Sequence, residues 1–289
     1  MAVLANTAYL PLATGETVFY RQAGADNKST ILLLHGFPSS SHQYRNLIPL
    51  LAQKYRVIAP DLPGFGFTTT PAGYAHTFDN LTETIKTFLA TLPNPPKTYA
   101  IYIFDYGAPV GLKLAIANPS AITAIISQSG NAYVEGLTPF WDPIRSYWSS
   151  GSQTDRDALL GLFKANTTKS QYTIGAKDPE AIAPESYTLD QWGLDRPGNN
   201  DIQLDLFYDY RKNVELYPEF HKYFKESKPP VLAAWGKHDF IFGPAGAEAF
   251  KKDLPHAEVH LLDAGHFAGE TNTKDIAALI LDFFKRHQL

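Results

Sequence analysis

Residues 30–36, TILLLHG, form an unbroken apolar run that stops on a glycine turn. A strand without polar alternation needs cover on both faces, which a parallel sheet flanked by helices supplies. The pattern recurs as RVIAPD (56–61), TYAIYIF (98–104) and AITAIISQS (121–129). Between these runs the apolar residues fall at helical spacing: over 42–55, where Tyr44, Leu47, Ile48 and Leu51 share a face, and over about 78–92 and 106–117. Two more runs, PVLAAWG (230–236) and AEVHLLD (257–263), come later, with helices expected over about 245–254 and in the terminal DIAALILDFFKRH. Short β-rich pieces at 9–12 and 17–21 predict a hairpin ahead of the series. The alternation specifies an α/β fold with a mostly parallel, doubly wound sheet and right-handed crossovers.

The series is interrupted once. Residues 132–228 lack a strand pattern and are rich in aromatics, Pro, Asp and Asn, with helix-like pieces in TPFWDPIRSYWSS and DIQLDLFYDYRKN. The expected organisation is a core domain made of 1–131 and 229–289, with a helical cap, 132–228, inserted after the sixth strand. A chain of 289 residues can bury a large core.

Composition removes several classes of function. Net charge is −4 with no long run of one sign, so there is no basic footprint for nucleic acid and no polybasic membrane patch. The absence of cysteine excludes disulfides, thiol catalysis and thiolate zinc sites. MAVLANTAYLPL has no basic start and no long apolar stretch, and no segment reaches the apolar length that spans a bilayer. The C-terminal HQL is a poor peroxisomal match, which leaves the cytoplasm as the default location.

In such sheets ligands sit beyond the carboxyl ends of the strands, where His35, Asp61, Asp105 and Asn131 lie. The stretch YIFDYGAPVG (102–111) places Asp105 at a sharp turn between strand and helix, with Gly107 and Ala108 giving room for strained backbone. Taken alone, Asp105 reads better as a helix cap. A carboxylate nucleophile further needs a histidine to activate water against its ester and a second acid to orient that histidine. His266 in DAGHFAGE and Asp239 in WGKHDFIFGP both follow strands, in the order nucleophile, acid, histidine. Glu135 is the rival acid, ranked second because Asp239 sits closer to its strand end. The amides of Phe37, in HGFP, and Tyr106 are candidate donors to an ester oxyanion. His35 itself is expected to be structural, and DLPGFG (61–66) to shape the cleft floor. Asp105, at a helix N-terminus, is expected to stay ionised at neutral pH.

HGFP, DLPGFG, FDYGAPVG, WGKHDFIF and DAGHF stand in the order of the α/β-hydrolase superfamily, which the chain resembles over nearly the whole sheet domain. Asp105 narrows the resemblance to the branch of epoxide hydrolases, haloalkane dehalogenases and fluoroacetate dehalogenases. That resemblance implies Asp105 as nucleophile, Asp239 as acid and His266 as base, with no metal or organic cofactor. Haloalkane dehalogenases characteristically hold halide with a tryptophan after the nucleophile, and many use an asparagine in HGNP; here Tyr106 and Phe37 stand there. Fluoroacetate dehalogenases resemble DRGARV at the elbow, where this chain has Tyr106 and Pro109 and so lacks the two arginines.

Epoxide hydrolases carry two cap tyrosines that donate to the ring oxygen, one often in a WYRN-like motif; FYDYRKN (207–213) matches it at Tyr210. Tyr147 has about the family spacing for the other and is equally compatible with a packed aromatic, with Tyr172 and Tyr187 as weaker options. Trp141, Trp148 and Phe207 are expected to line or underlie an apolar pocket. The reading that results is hydrolysis of a small apolar epoxide by a monomer or homodimer. A dehalogenase on the same aspartate and a non-catalytic binder on the same scaffold are the alternatives. One mismatch stands out: Ile103 occupies the position where the elbow ordinarily has glycine.

Overall fold

In the computed structural model, which describes residues 4–289, the N-terminal pieces form an antiparallel hairpin of β1 (Asn6–Pro11) and β2 (Thr17–Ala23). Residues 1–3, at the start of MAVLANTAYLPL, lie outside the described residues. The apolar runs become β3 (Thr30–Leu34), β4 (Arg56–Pro60), β5 (Tyr99–Phe104), β6 (Ile122–Gln128), β7 (Val231–Gly236) and β8 (Glu258–Leu262). They form one eight-stranded sheet in the order β1-β2-β4-β3-β5-β6-β7-β8, antiparallel only at β1-β2 and β2-β4. Every residue of β3, β4, β5 and β7 is buried, as unbroken apolar runs require, while β1 and β8 at the edges are partly exposed.

The core helices are α1 (Ile48–Leu51), α2 (Phe78–Thr91) and α3 (Gly107–Ala117) before the interruption. Between β6 and β7 lie α4 (Asp142–Ser150), α5 (Gln153–Ala158), α6 (Ala165–Thr173), α7 (Pro184–Leu194), α8 (Asn199–Glu215) and α9 (Tyr217–Ser227). The chain ends with α10 (Pro244–Ala249), α11 (Ala268–Thr271) and α12 (Thr273–His287). Strand side chains alternate between two apolar layers. Leu32, Leu34, Ile101 and Ile103 pack with α2, α3 and the inserted helices, whereas Ile31, Leu33, Ala100 and Tyr102 pack with α1 and α12.

Two expected helices are shorter than their patterns predict. Residues 42–55 give a 3₁₀ turn, Ser41–Tyr44, and the single turn α1. Pro49 has no amide proton and fits only a first turn, so the helix restarts there, although Tyr44, Leu47, Ile48 and Leu51 are all buried as the pattern requires. Residues 245–254 form α10 and then tighten into a 3₁₀ turn, Phe250–Lys252.

From β3 the chain moves outward to β4, then crosses back to β5 on the other side of β3. Adjacent crossovers therefore leave in opposite directions at β3 and β5, opening the crevice where this architecture places ligands. Phe37 and Asp105 follow these two strands. Among the described residues no helix is long and apolar enough to cross a membrane.

Candidate active site

Asp105 sits at the tip of the turn from β5 into α3 with φ of +49°, a left-handed conformation that is strained for a residue other than glycine. Its neighbours make the turn possible. A Cβ on Gly107 would lie 2.2 Å from the Leu34 carbonyl oxygen, and one on Gly36 would lie 2.3 Å from Asp105 Oδ1. The helix and the β3 loop can therefore close on the carboxylate from both sides.

That closeness decides the bonding. The amides of Phe37 and Tyr106 both donate to Asp105 Oδ1, each at 2.6 Å. Burial raises the Asp105 pKa to about 6, against the opposing pull of His266 and the two amides. Desolvation thus outweighs the helix N-terminus, yet with its pKa near 6 the group is still mostly ionised at pH 7.

Ile103 is accommodated by glycines elsewhere. A Cβ on Gly111 of α3 would lie 2.5 Å from Ile103 Cγ2, and one on Gly130 would lie 2.8 Å from Ile103 Cγ1. The space usually left by a glycine on the strand is here left by its two neighbours.

His266 follows β8 and is fully buried; its Nδ1 lies 3.0 Å from Asp239 Oδ2, and its Nε2 lies 3.9 Å from Asp105 Oδ2. Nε2 has no hydrogen-bond partner. Burial opposes charge on this ring, but the charge of Asp239, its hydrogen bond and Asp105 together raise the histidine pKa. Asp239 is held in turn. Its Oδ1 accepts from the amides of Ile241 at 2.9 Å and Phe242 at 3.0 Å, and its Oδ2 accepts from Ser129 Oγ at 2.7 Å. Gln128 Nε2 donates to the His266 carbonyl at 2.8 Å. In the sequence Ser129 and Gln128 read only as the polar end of an apolar run. Glu135, the rival acid, is paired with Lys252 at the surface instead.

Tyr210 is carried by α8 and is fully buried, with no hydrogen-bond partner for its hydroxyl. The adjacent Asp209 fixes that helix by accepting from the Phe78 amide, at the first turn of α2, at 2.8 Å. Gln203 Nε2 adds a 3.2 Å bond to the Gly64 carbonyl, so the inserted helix is docked on the DLPGFG turn. Burial raises the Tyr210 pKa far above the ordinary value, reinforced by Tyr217 and Asp105.

Tyr147 does not join this group. Arg156 donates to its hydroxyl at 3.1 Å, within a cluster that includes Asp201 and Asp205, and its ring lies 4.7 Å from that of Tyr208. Residues two apart on a helix point about 200° apart, so Tyr208 and Tyr210 face opposite ways. On α4 it is the next residue, Trp148, that stacks parallel to Tyr210, at 6.2 Å. The alternatives are engaged elsewhere: Tyr172 bonds Asp190 and stacks on Phe267 at 3.7 Å, while Tyr187 packs edge-on to Tyr172.

The apolar residues separate into wall and backing. Phe207 lies 5.2 Å from Phe37 and 6.1 Å from Tyr106 by ring centroid, directly beside the carboxylate turn. Trp141 packs behind Tyr210 at 4.7 Å, anchored by its indole N–H on the Ile241 carbonyl. His35 is structural: the Leu62 amide donates to its Nε2 at 2.9 Å, and burial lowers its pKa to about 4. Asp61 accepts from the amides of Ser41 and Phe67 and shapes the neighbouring turn.

A mostly parallel sheet with a carboxylate on the elbow after β5 and a histidine–carboxylate pair after β8 and β7 defines a hydrolase of the α/β type. The chain belongs to the α/β-hydrolase fold family, which matches residues 29–273. It is 49% identical over 288 residues to an uncharacterized hydrolase of Saccharomyces cerevisiae, YNR064C, covering 98% of each chain. It is 27% identical to a haloalkane dehalogenase of Psychrobacter cryohalolentis, over 92% of this chain and 86% of that one. The fold is also similar to that of the epoxide hydrolase CorEH, with a TM-score of 0.79 at 19% identity, over 98% of this chain and 99% of the other.

Proposed function

We propose that this protein is an epoxide hydrolase acting through a covalent ester on Asp105. The observation that carries the reading is the division of labour within one carboxylate. Oδ1 is fixed by the Phe37 and Tyr106 amides, while Oδ2 is turned toward His266. A serine enzyme keeps such an amide pair for the oxygen of its substrate. Here the pair holds the oxygen that becomes the ester carbonyl, and later the oxyanion.

Asp105 Oδ2 attacks an epoxide carbon in line. The C–O bond breaks toward the ring oxygen, and Tyr210 donates its phenolic proton there, giving a hydroxyalkyl ester. His266 Nε2, held by Asp239, then takes a proton from water as that water adds to Asp105 Cγ. The oxyanion collapses and expels the second alkoxide, which recovers its proton from His266. The proton left on the Asp105 carboxyl returns to the Tyr210 phenolate, and a vicinal diol leaves. The substrate is a small apolar epoxide, matched to the wall of Phe37, Phe207 and Tyr106.

The test is a single turnover in heavy-oxygen water, followed by mass spectrometry of the Asp105 peptide. Label in the Asp105 carboxylate, with diol as product, is the expected result. Label only in the diol would refute the ester route, and halide release from haloalkanes without diol from epoxides would give the site to dehalogenation.

A further inference from the structure

The epoxide-opening reading needs donors to an alkoxide, and with Tyr147 turned toward Arg156 one of the two expected cap phenols is missing. A different phenol is present. Tyr106, the residue after Asp105, is 1% exposed, and its hydroxyl has no hydrogen-bond partner. A buried hydroxyl left unpaired forfeits its hydrogen bonds to water, so it stands in the folded protein as a donor without an acceptor. The Tyr210 hydroxyl is likewise buried and lacks a well-formed hydrogen bond, with the Tyr217 hydroxyl as its neighbour, and the rings of Tyr106 and Tyr210 lie 5.7 Å apart, tilted by 32°. Asp105 acts electrostatically on both phenols.

The ring of Tyr106 is fixed in that position. Phe78 meets it edge-on at 5.0 Å, and Phe65 and Phe207 close its other sides at 6.3 and 6.1 Å. Its backbone amide is already committed to Asp105 Oδ1. One residue therefore gives its amide to the Asp105 carboxylate and carries an unpartnered phenol beside the ring of Tyr210.

We propose that Tyr106 is the second phenol of ring opening, partnering Tyr210 in the place that sequence spacing assigned to Tyr147. The proposal rests on the epoxide hydrolase reading. As Asp105 Oδ2 bonds to carbon and the C–O bond breaks, both hydroxyls hydrogen-bond the ring oxygen. One proton moves from a phenol to that oxygen, and the phenolate is reprotonated by the proton that ester hydrolysis releases. Two donors, one from the elbow and one from α8, also fix the oxygen's position, and so select which epoxide carbon faces Asp105.

The test uses styrene oxide and the full-length protein, with His266→Gln as the background so that the ester on Asp105 accumulates and ring opening is followed alone by rapid quench and mass spectrometry. Adding Tyr106→Phe should slow ester formation by about tenfold or more, and adding Tyr210→Phe as well should slow it further. In the otherwise native enzyme Tyr106→Phe should lower kcat with KM and the melting temperature nearly unchanged, because the hydroxyl removed has no partner in the folded protein. Ester formation at an undiminished rate in Tyr106→Phe would overturn the proposal and leave the epoxide reading standing. No ester on Asp105 in either the His266→Gln or the native enzyme would overturn that reading itself, and the proposal with it.

Discussion

Replacing Asp105 by asparagine should make the protein more stable, and the gain should depend on pH. Burial lifts the carboxyl from 3.8 to about 6. That difference is about two pKa units, each worth about 1.4 kcal/mol, so ionised Asp105 costs the folded state about 3 kcal/mol. The folded state holds this proton more tightly than the unfolded chain does. Stability from this group is therefore present below about pH 4, declines as pH rises through the interval to about 6, and is absent above it. Asparagine resembles the neutral form in shape. Its amide oxygen can still accept from Phe37 and Tyr106, and it tolerates the φ of +49°. Urea unfolding at about pH 8 should show the variant more stable by about 3 kcal/mol, with the advantage shrinking toward zero near pH 4. Equal or lower stability of the variant at about pH 8, with an unchanged slope in urea, would refute the claim that desolvation dominates this site.

Other consequences concern separate parts of the machinery. His266→Gln should open the epoxide but hydrolyse the ester at least about a hundredfold more slowly, so that the Asp105 peptide gains the mass of the substrate. Tyr147→Phe, which loses the 3.1 Å contact with Arg156, should cost about 1 kcal/mol in thermal unfolding and leave turnover within about twofold. Gly111→Ala should destabilise by about 1–3 kcal/mol, because the new Cβ would lie 2.5 Å from Ile103 Cγ2. Combining it with Ile103→Ala should recover part of that loss, and strictly additive losses would mean that the two sites do not share the space.

The strand runs were legible because burial on both faces leaves a local mark: an apolar stretch with no period. For the same reason Asp105, Asp239 and His266 could be singled out as polar residues that end such stretches. Asp239 was separable from Glu135 by its place next to β7, and the structure pairs Asp239 with His266 and Glu135 with Lys252. Less was legible where proline altered a helix, as at Pro49, since apolar spacing records which residues are buried rather than which amides are bonded. Ile103 read as a defect in the elbow motif because its compensation lies at Gly111 and Gly130, one on α3 and one beyond β6.

The sequence by itself determined the sheet, its interruption after β6, and the three polar residues of the elbow and its two partner loops. Each depends on near neighbours along the chain: a run of apolar side chains, a glycine beside a strained turn, a short loop after a strand. The tertiary structure alone decided which tyrosines face the carboxylate. A phenol's direction depends on which side of its helix is docked, and Asp209 on the Phe78 amide docks α8 so that Tyr210 turns inward and Tyr208 outward. Tyr147 follows Tyr208 away from the site, while Tyr106, read in the sequence for its amide and for its place after the elbow residue, brings a free hydroxyl beside Tyr210.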